Sequence, residues 1–134
     1  MAHRLQRYRG SARVHGCVLL LAVALASGCS RETERQAAQL TGGDPGRGKV
    51  LLTRYGCASC HTIPGIRGAD AHVGPPLAKM ARRSYIGGVI ENTPENMIYW
   101  IRNPQGVDSL SAMPNLGVSV QDARDIAGYL YTLR

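Results

Sequence analysis

Apolar residues recur at helical spacing in three stretches of this chain, and no stretch of useful length alternates as a strand does. The first follows Asp44-Pro45, an aspartate suited to cap a helix and a proline suited to its first position. It carries Val50, Leu51 and Leu52 to about Tyr55, and Gly56 ends it. The second opens at Thr93-Pro94-Glu95, places Met97, Ile98 and Ile101 at helical spacing, and closes at Pro104. The third follows Ser119 and Asp122, which have capping-box spacing, and runs Ala123, Ile126, Ala127, Leu130 and Leu133 to the C-terminus. A shorter helix is predicted over Leu77 to Arg82. Ile63 to Pro76, rich in glycine and proline, and Gln105 to Gly117 read as loops. The pattern predicts an all-α chain whose long loops need a bound group to organise them.

Ahead of these helices lies a different kind of segment. Residues 1–16 are basic, residues 17–26 (CVLLLAVALA) are apolar, and Ser27-Gly28-Cys29 follows. This is the order of a bacterial secretory signal peptide. Ten apolar residues fall well short of the roughly 20 that cross a bilayer. Leu25-Ala26-Ser27-Gly28-Cys29 resembles a lipobox, with Ala26 where that signal usually has leucine. The resemblance implies cleavage before Cys29 and lipid on its thiol, so that residues 1–28 leave as a signal peptide. The other reading is ordinary cleavage nearby, leaving Cys29 as a free thiol, unusual in an oxidising compartment. Polar residues 29–43, with Leu40 as the lone large apolar side chain, read as a flexible tether to a folded domain over 44–134.

Composition sharpens the need for a bound group. The 134 residues include no Phe, one Trp and six Tyr, thin material for a core. The formal charge of +7 includes Arg4, Arg7, Arg9 and Arg13 of the leader. Without them 12 basic side chains face 9 acidic ones. With no basic stripe interleaved with aromatics, nucleic-acid binding has no support.

Cys57-Ala58-Ser59-Cys60-His61 supplies the bound group. Two cysteines separated by two residues, with a histidine next, form the attachment signature of a c-type haem. Each thiol adds to one vinyl group, and the histidine then lies under the iron. Gly74-Pro75-Pro76-Leu77 follows, and Ala112-Met113-Pro114 sits between the second and third long helices. With CASCH, GPPL, the TPEN-to-NP helix, AMP and the DIAGYL terminus, the chain from about Asp44 to Arg134 resembles the class I, monohaem cytochromes c. From Arg83 onward it also resembles cytochrome c domains attached to some haem–copper oxidase subunits, without their copper-binding domain.

The resemblance implies three to five short helices wrapped around one haem held by Cys57 and Cys60. It implies His61 and Met113 as axial ligands, and the Pro75 carbonyl as acceptor for the second imidazole N–H of His61. His72, Met80 and Met97 are the other candidates for the second axial position. Leu77, Trp100 and Leu116 are candidate pocket walls, and Tyr85, Trp100, Arg82 and Arg83 are candidate partners of the propionates. Gly48 and Leu52, with Tyr129 and Leu130, fit the family's crossing of first and last helices.

The function expected is single-electron transfer rather than enzymatic turnover. The setting expected is the periplasmic side of a membrane, with a quinol–cytochrome c reductase as donor and a terminal oxidase as acceptor. A gas sensor or peroxidase with a labile sixth ligand is the alternative. A thiol–disulfide oxidoreductase needs a βαβ context and a reactive thiolate, and a zinc finger needs a second ligand pair.

Overall fold

The computed structural model describes residues 30–134. Residues 34–134 form one compact unit; of the other unit, residues 1–33, only the helical residues 30–33 are described. The signal peptide and Cys29 lie outside the described residues.

Five α-helices make up the described chain: α1 (30–41), α2 (Pro45–Arg54), α3 (Pro94–Arg102), α4 (Pro104–Val107) and α5 (Val120–Thr132). Two 3₁₀ turns, Cys57–Ser59 and Met80–Arg82, lie between α2 and α3. So does a two-stranded antiparallel hairpin, β1 (Tyr85–Ile86) and β2 (Ile90–Glu91), with Ile86 opposite Ile90. No helix among the described residues is long and apolar enough to cross a membrane.

The expected tether is corrected by α1. Residues 30–41 are helical, and the reason is small side chains rather than large ones. Ala37 and Thr41, one turn apart, are buried, while Leu40 is 54% exposed. The Thr41 hydroxyl donates to the Ala37 carbonyl at 2.9 Å, and the Arg134 guanidinium donates to Gln36 Oε1 at 2.8 Å. The chain then turns at Gly42 and enters α2, where Asp44 Oδ1 accepts from the N–H groups of Gly46 and Arg47.

The centre of the fold is the crossing of α2 and α5. A Cβ on Gly48 would lie 1.9 Å from the Asp125 carbonyl oxygen, so the two backbones are in contact there. Leu51 and Leu52 of α2 pack with Ala123, Ile126, Ala127 and Leu130 of α5, and Met97 and Ile101 of α3 complete the core. Asp125 is fully buried at the crossing, and a buried charge is tolerable only when paired. Its Oδ1 accepts from the Asp44 N–H at 2.8 Å and from Gln121 Nε2 at 3.1 Å, and its Oδ2 lies 2.7 Å from the Arg47 guanidinium. One turn earlier, Asp122 accepts from the Tyr55 hydroxyl at 2.7 Å and from Arg47 at 2.8 Å. The hydrogen bond from Tyr55 holds the Asp122 carboxyl below its usual range, and the same bond raises the phenol.

Two expectations for the middle of the chain change. The helix expected over Leu77 to Arg82 shrinks to a single 3₁₀ turn, because Lys79 takes a left-handed conformation at φ +57°. Pro104 closes α3 as expected, and it also opens α4, capped by Asn103. Asn92 fastens this region to α5. Its amide donates to the carbonyls of Met80 and Arg83, each at 2.8 Å, and its Oδ1 accepts from the Tyr131 hydroxyl at 2.8 Å. Burial, with Glu95 nearby, pushes the Tyr131 phenol up to about 12.

Candidate haem site

The site begins where α2 ends. Gly56, at φ +73°, reverses the chain into the turn Cys57–Ser59. The Cys57 carbonyl accepts from the N–H groups of both Cys60 (3.3 Å) and His61 (3.0 Å), so the two thiols and the imidazole leave one tight turn. Both thiols are free and half-buried. Burial pushes the Cys57 thiol up, opposite to what a reactive CxxC thiolate needs.

The loop after the turn folds back on it. Ile63 N–H donates to Ala69 O at 3.0 Å, the Thr62 hydroxyl to Ala71 O at 2.9 Å, and Leu77 N–H to Thr62 O at 2.8 Å. Gly74 N–H donates to Cys60 O at 2.7 Å, which brings the Gly74-Pro75 turn onto His61. His61 Nδ1 lies 2.7 Å from the Pro75 carbonyl oxygen. A carbonyl can only accept, so Nδ1 is the protonated nitrogen of this contact, and in the neutral imidazole the lone pair is the one on Nε2. A Cβ on Gly74 would be 2.4 Å from His61 Cε1 and 2.7 Å from Nδ1. The glycine thus leaves the space in which the ring stands.

The remaining residues named from the sequence are placed as follows. Leu77 and Trp100 are half-buried and pack against the core, and Leu116 is 38% exposed. Tyr85 is 60% exposed. The Arg83 guanidinium donates to the carbonyls of Pro76 and Ala78, which ties it to the loop that carries Pro75. Met80 and Met97 are buried in the core, where they serve as packing. Met113 is half-buried in the irregular segment between α4 and α5. Its carbonyl accepts from Gln105 Nε2 at 2.6 Å, and its N–H donates to the Ser111 hydroxyl at 3.3 Å. Gln105 was not foreseen: a bond between residues eight apart in an irregular segment leaves no periodic signal.

The donor set fits a haem. Two free thiols and an imidazole leave one turn, the ring is oriented through Nδ1, and a thioether stands in a loop. It does not fit a structural zinc: among the described residues, no three His, Cys, Asp or Glu side chains converge as a metal site would require.

Comparison with known proteins agrees. Cytochrome c oxidase subunit 2 of Alkalihalophilus pseudofirmus is 30% identical over 108 residues, 80% of this chain and 30% of that protein. The protein of the same name in Bacillus subtilis is 29% identical over 87 residues, 63% of this chain and 24% of its own. The chain therefore spans less than a third of the length of these curated relatives. A match of 108 residues within 134 necessarily includes α1, so this helix lies inside the region of similarity. No solved structure matches the chain significantly. The profile of the cytochrome c family matches residues 46–134, from the first turn of α2 to the C-terminus, and the chain belongs to that family of haem-carrying electron-transfer proteins.

Proposed function

We propose that this chain is a monohaem, single-electron carrier whose haem is joined to Cys57 and Cys60 and ligated by His61 and Met113. The observation that carries this reading is the bond from His61 Nδ1 to Pro75 O, which engages one ring nitrogen and leaves Nε2 as the one available to iron. Haem supplies a one-electron Fe(II)/Fe(III) couple. The residues of the chain set its terms. The Pro75 carbonyl fixes the ring and makes Nε2 a stronger donor. With haem bound, the Met113 thioether, a soft ligand, would favour Fe(II), and His61 and Met113 together would keep small molecules from the iron. Leu77 and Trp100 are apolar cover that keeps water away.

The similarity to cytochrome c oxidase subunit 2 supports a respiratory setting with a terminal oxidase as acceptor. A quinol–cytochrome c reductase as donor is what the family resemblance implies. The leader over residues 1–28 supports export to the periplasmic side, with the domain held at the membrane by lipid on Cys29. The mass of the mature N-terminus tests that anchor: a diacylglyceryl adduct on Cys29 is expected, and an unmodified N-terminus refutes it.

Carbon monoxide tests the electron-carrier reading. The reduced, haem-loaded protein is expected to keep its low-spin spectrum under the gas, while Met113→Ala takes it up. If the thioether is off the iron in about 1% of molecules, the variant binds about a hundredfold more tightly. A wild-type protein that binds carbon monoxide as readily as Met113→Ala is a sensor or peroxidase instead.

A further inference from the structure

We propose that Gln105 is a positioning residue for the sixth ligand, its side-chain amide holding the Met113 loop at the distance from which the thioether reaches iron. The inference deepens the reading above and rests on Met113 as that ligand.

Residues 109–117 have little else to fix them. Leu110 N–H and Ser111 N–H bond to Asp108, Met113 N–H to Ser111 and Gly117 N–H to Asn115. Among the described residues, these bonds all stay within 108–117. They shape local turns but do not anchor the segment to the domain. Val118, buried at its far end, fixes only where α5 begins. A segment of this length without an anchor samples many positions, and each lost position lowers the fraction of time the thioether is in place.

Gln105 supplies the anchor. Its Nε2 donates to Met113 O at 2.6 Å and to Ser111 O at 3.2 Å, one hydrogen for each carbonyl. Two carbonyls facing one end of the amide also fix which end is nitrogen, since the oxygen end would be repelled by both. The helix behind it is itself immobilised. Pro104 is fully buried, and Asn103 Oδ1 accepts from the Gly106 N–H at 3.2 Å. The amide thus transmits the position of α4, and through it of the core, to the backbone of the ligand residue.

The test uses the full-length, haem-loaded protein in its oxidised form, titrated with cyanide, which competes with the thioether. Gln105→Leu keeps the bulk and removes both donors. Two ordinary hydrogen bonds together correspond to about a tenfold shift in the loop equilibrium. Cyanide affinity is therefore expected to rise about tenfold, with weakening of the charge-transfer band of thioether-bound ferric haem. Gln105→Glu places a carboxylate against two carbonyls and is expected to rise at least as far. Gln121→Leu, which removes the amide bond to buried Asp125, is the control for general loosening and is expected to leave cyanide affinity alone. Wild-type affinity in both Gln105 variants overturns the proposal while leaving Met113 as ligand. An equal rise in Gln121→Leu overturns it as well. A wild-type protein lacking the thioether band overturns the Met113 assignment and this inference together.

Discussion

Gly48→Ala is expected to remove at least about 3 kcal/mol of folding stability, although alanine is the better helix former by about 1 kcal/mol. The two effects act at the same residue and are far from equal. Gly48 lies inside α2, so local propensity alone predicts a gain. Its missing Cβ, however, is what allows α2 to meet α5. A methyl group there would be 1.9 Å from Asp125 O and 2.5 Å from the carbonyl carbon, both backbone atoms that no rotamer change can move. Relief requires the helices to part. Parting them draws the Asp44 N–H away from the Asp125 carboxylate and strips partners from a fully buried charge. The steric cost and the electrostatic cost therefore arrive together. Urea unfolding of the variant against Gly46→Ala checks the argument. Gly46 is exposed in the same helix, and its added Cβ meets only Asp44 Oδ1, at 3.2 Å. Gly46→Ala is expected to change stability by less than about 1 kcal/mol. If the two variants behave alike, the backbone contact is not what limits residue 48.

The same crossing explains what the sequence could and could not reveal. Helix starts were legible because capping is local chemistry: Asp44, Thr93 and Ser119 each accept a backbone N–H within three residues. The core faces of α3 and α5 were legible because Met97, Ile101, Ala123, Ile126 and Leu130 repeat with the helical period. Helix α1 was not, since its buried face is Ala37 and Thr41, too small to register as a hydrophobic stripe, and its one large apolar residue points outward. Gly42 and Gly43 had the same effect. They look like the end of a linker, yet Gly43 lies against the backbone of α5, whereas Gly48 could be placed at the crossing through resemblance. α4, at four residues, is barely one helical turn and is too short to show a repeat. In the site, the thiols and imidazole were legible from fixed spacing within five residues. The Pro75 acceptor could be named only through resemblance, because it closes a span of 14 residues. Gln105 had neither spacing nor resemblance to reveal it.

Gly74→Ala is expected to change the haem site without unfolding the domain. The added methyl falls 2.4 Å from His61 Cε1, 2.7 Å from Nδ1 and 3.1 Å from Nε2, so it meets the ring along one whole edge. The backbone of residue 74 cannot easily retreat, because its N–H is held by Cys60 O at 2.7 Å. The imidazole must turn instead, and turning breaks its bond to Pro75 O. Loss of such an outer hydrogen bond changes ligand binding by about 10–100-fold. Were all of that loss borne by Fe(III), the reduction potential would rise by about 60–120 mV, since tenfold in a one-electron couple is about 59 mV. The direction follows from the chemistry: an imidazole without its acceptor is a weaker donor, and the more highly charged iron loses more by it. Entropy runs the other way, since alanine restricts the unfolded chain by about 0.4–1 kcal/mol, too little to offset a contact at 2.4 Å. Redox titration of the variant, with unfolding followed separately, distinguishes the two effects. A potential within about 10 mV of the wild type, small against the 59 mV of a tenfold change, would show that the ring keeps its orientation. The space at Gly74 would then serve the loop rather than the histidine.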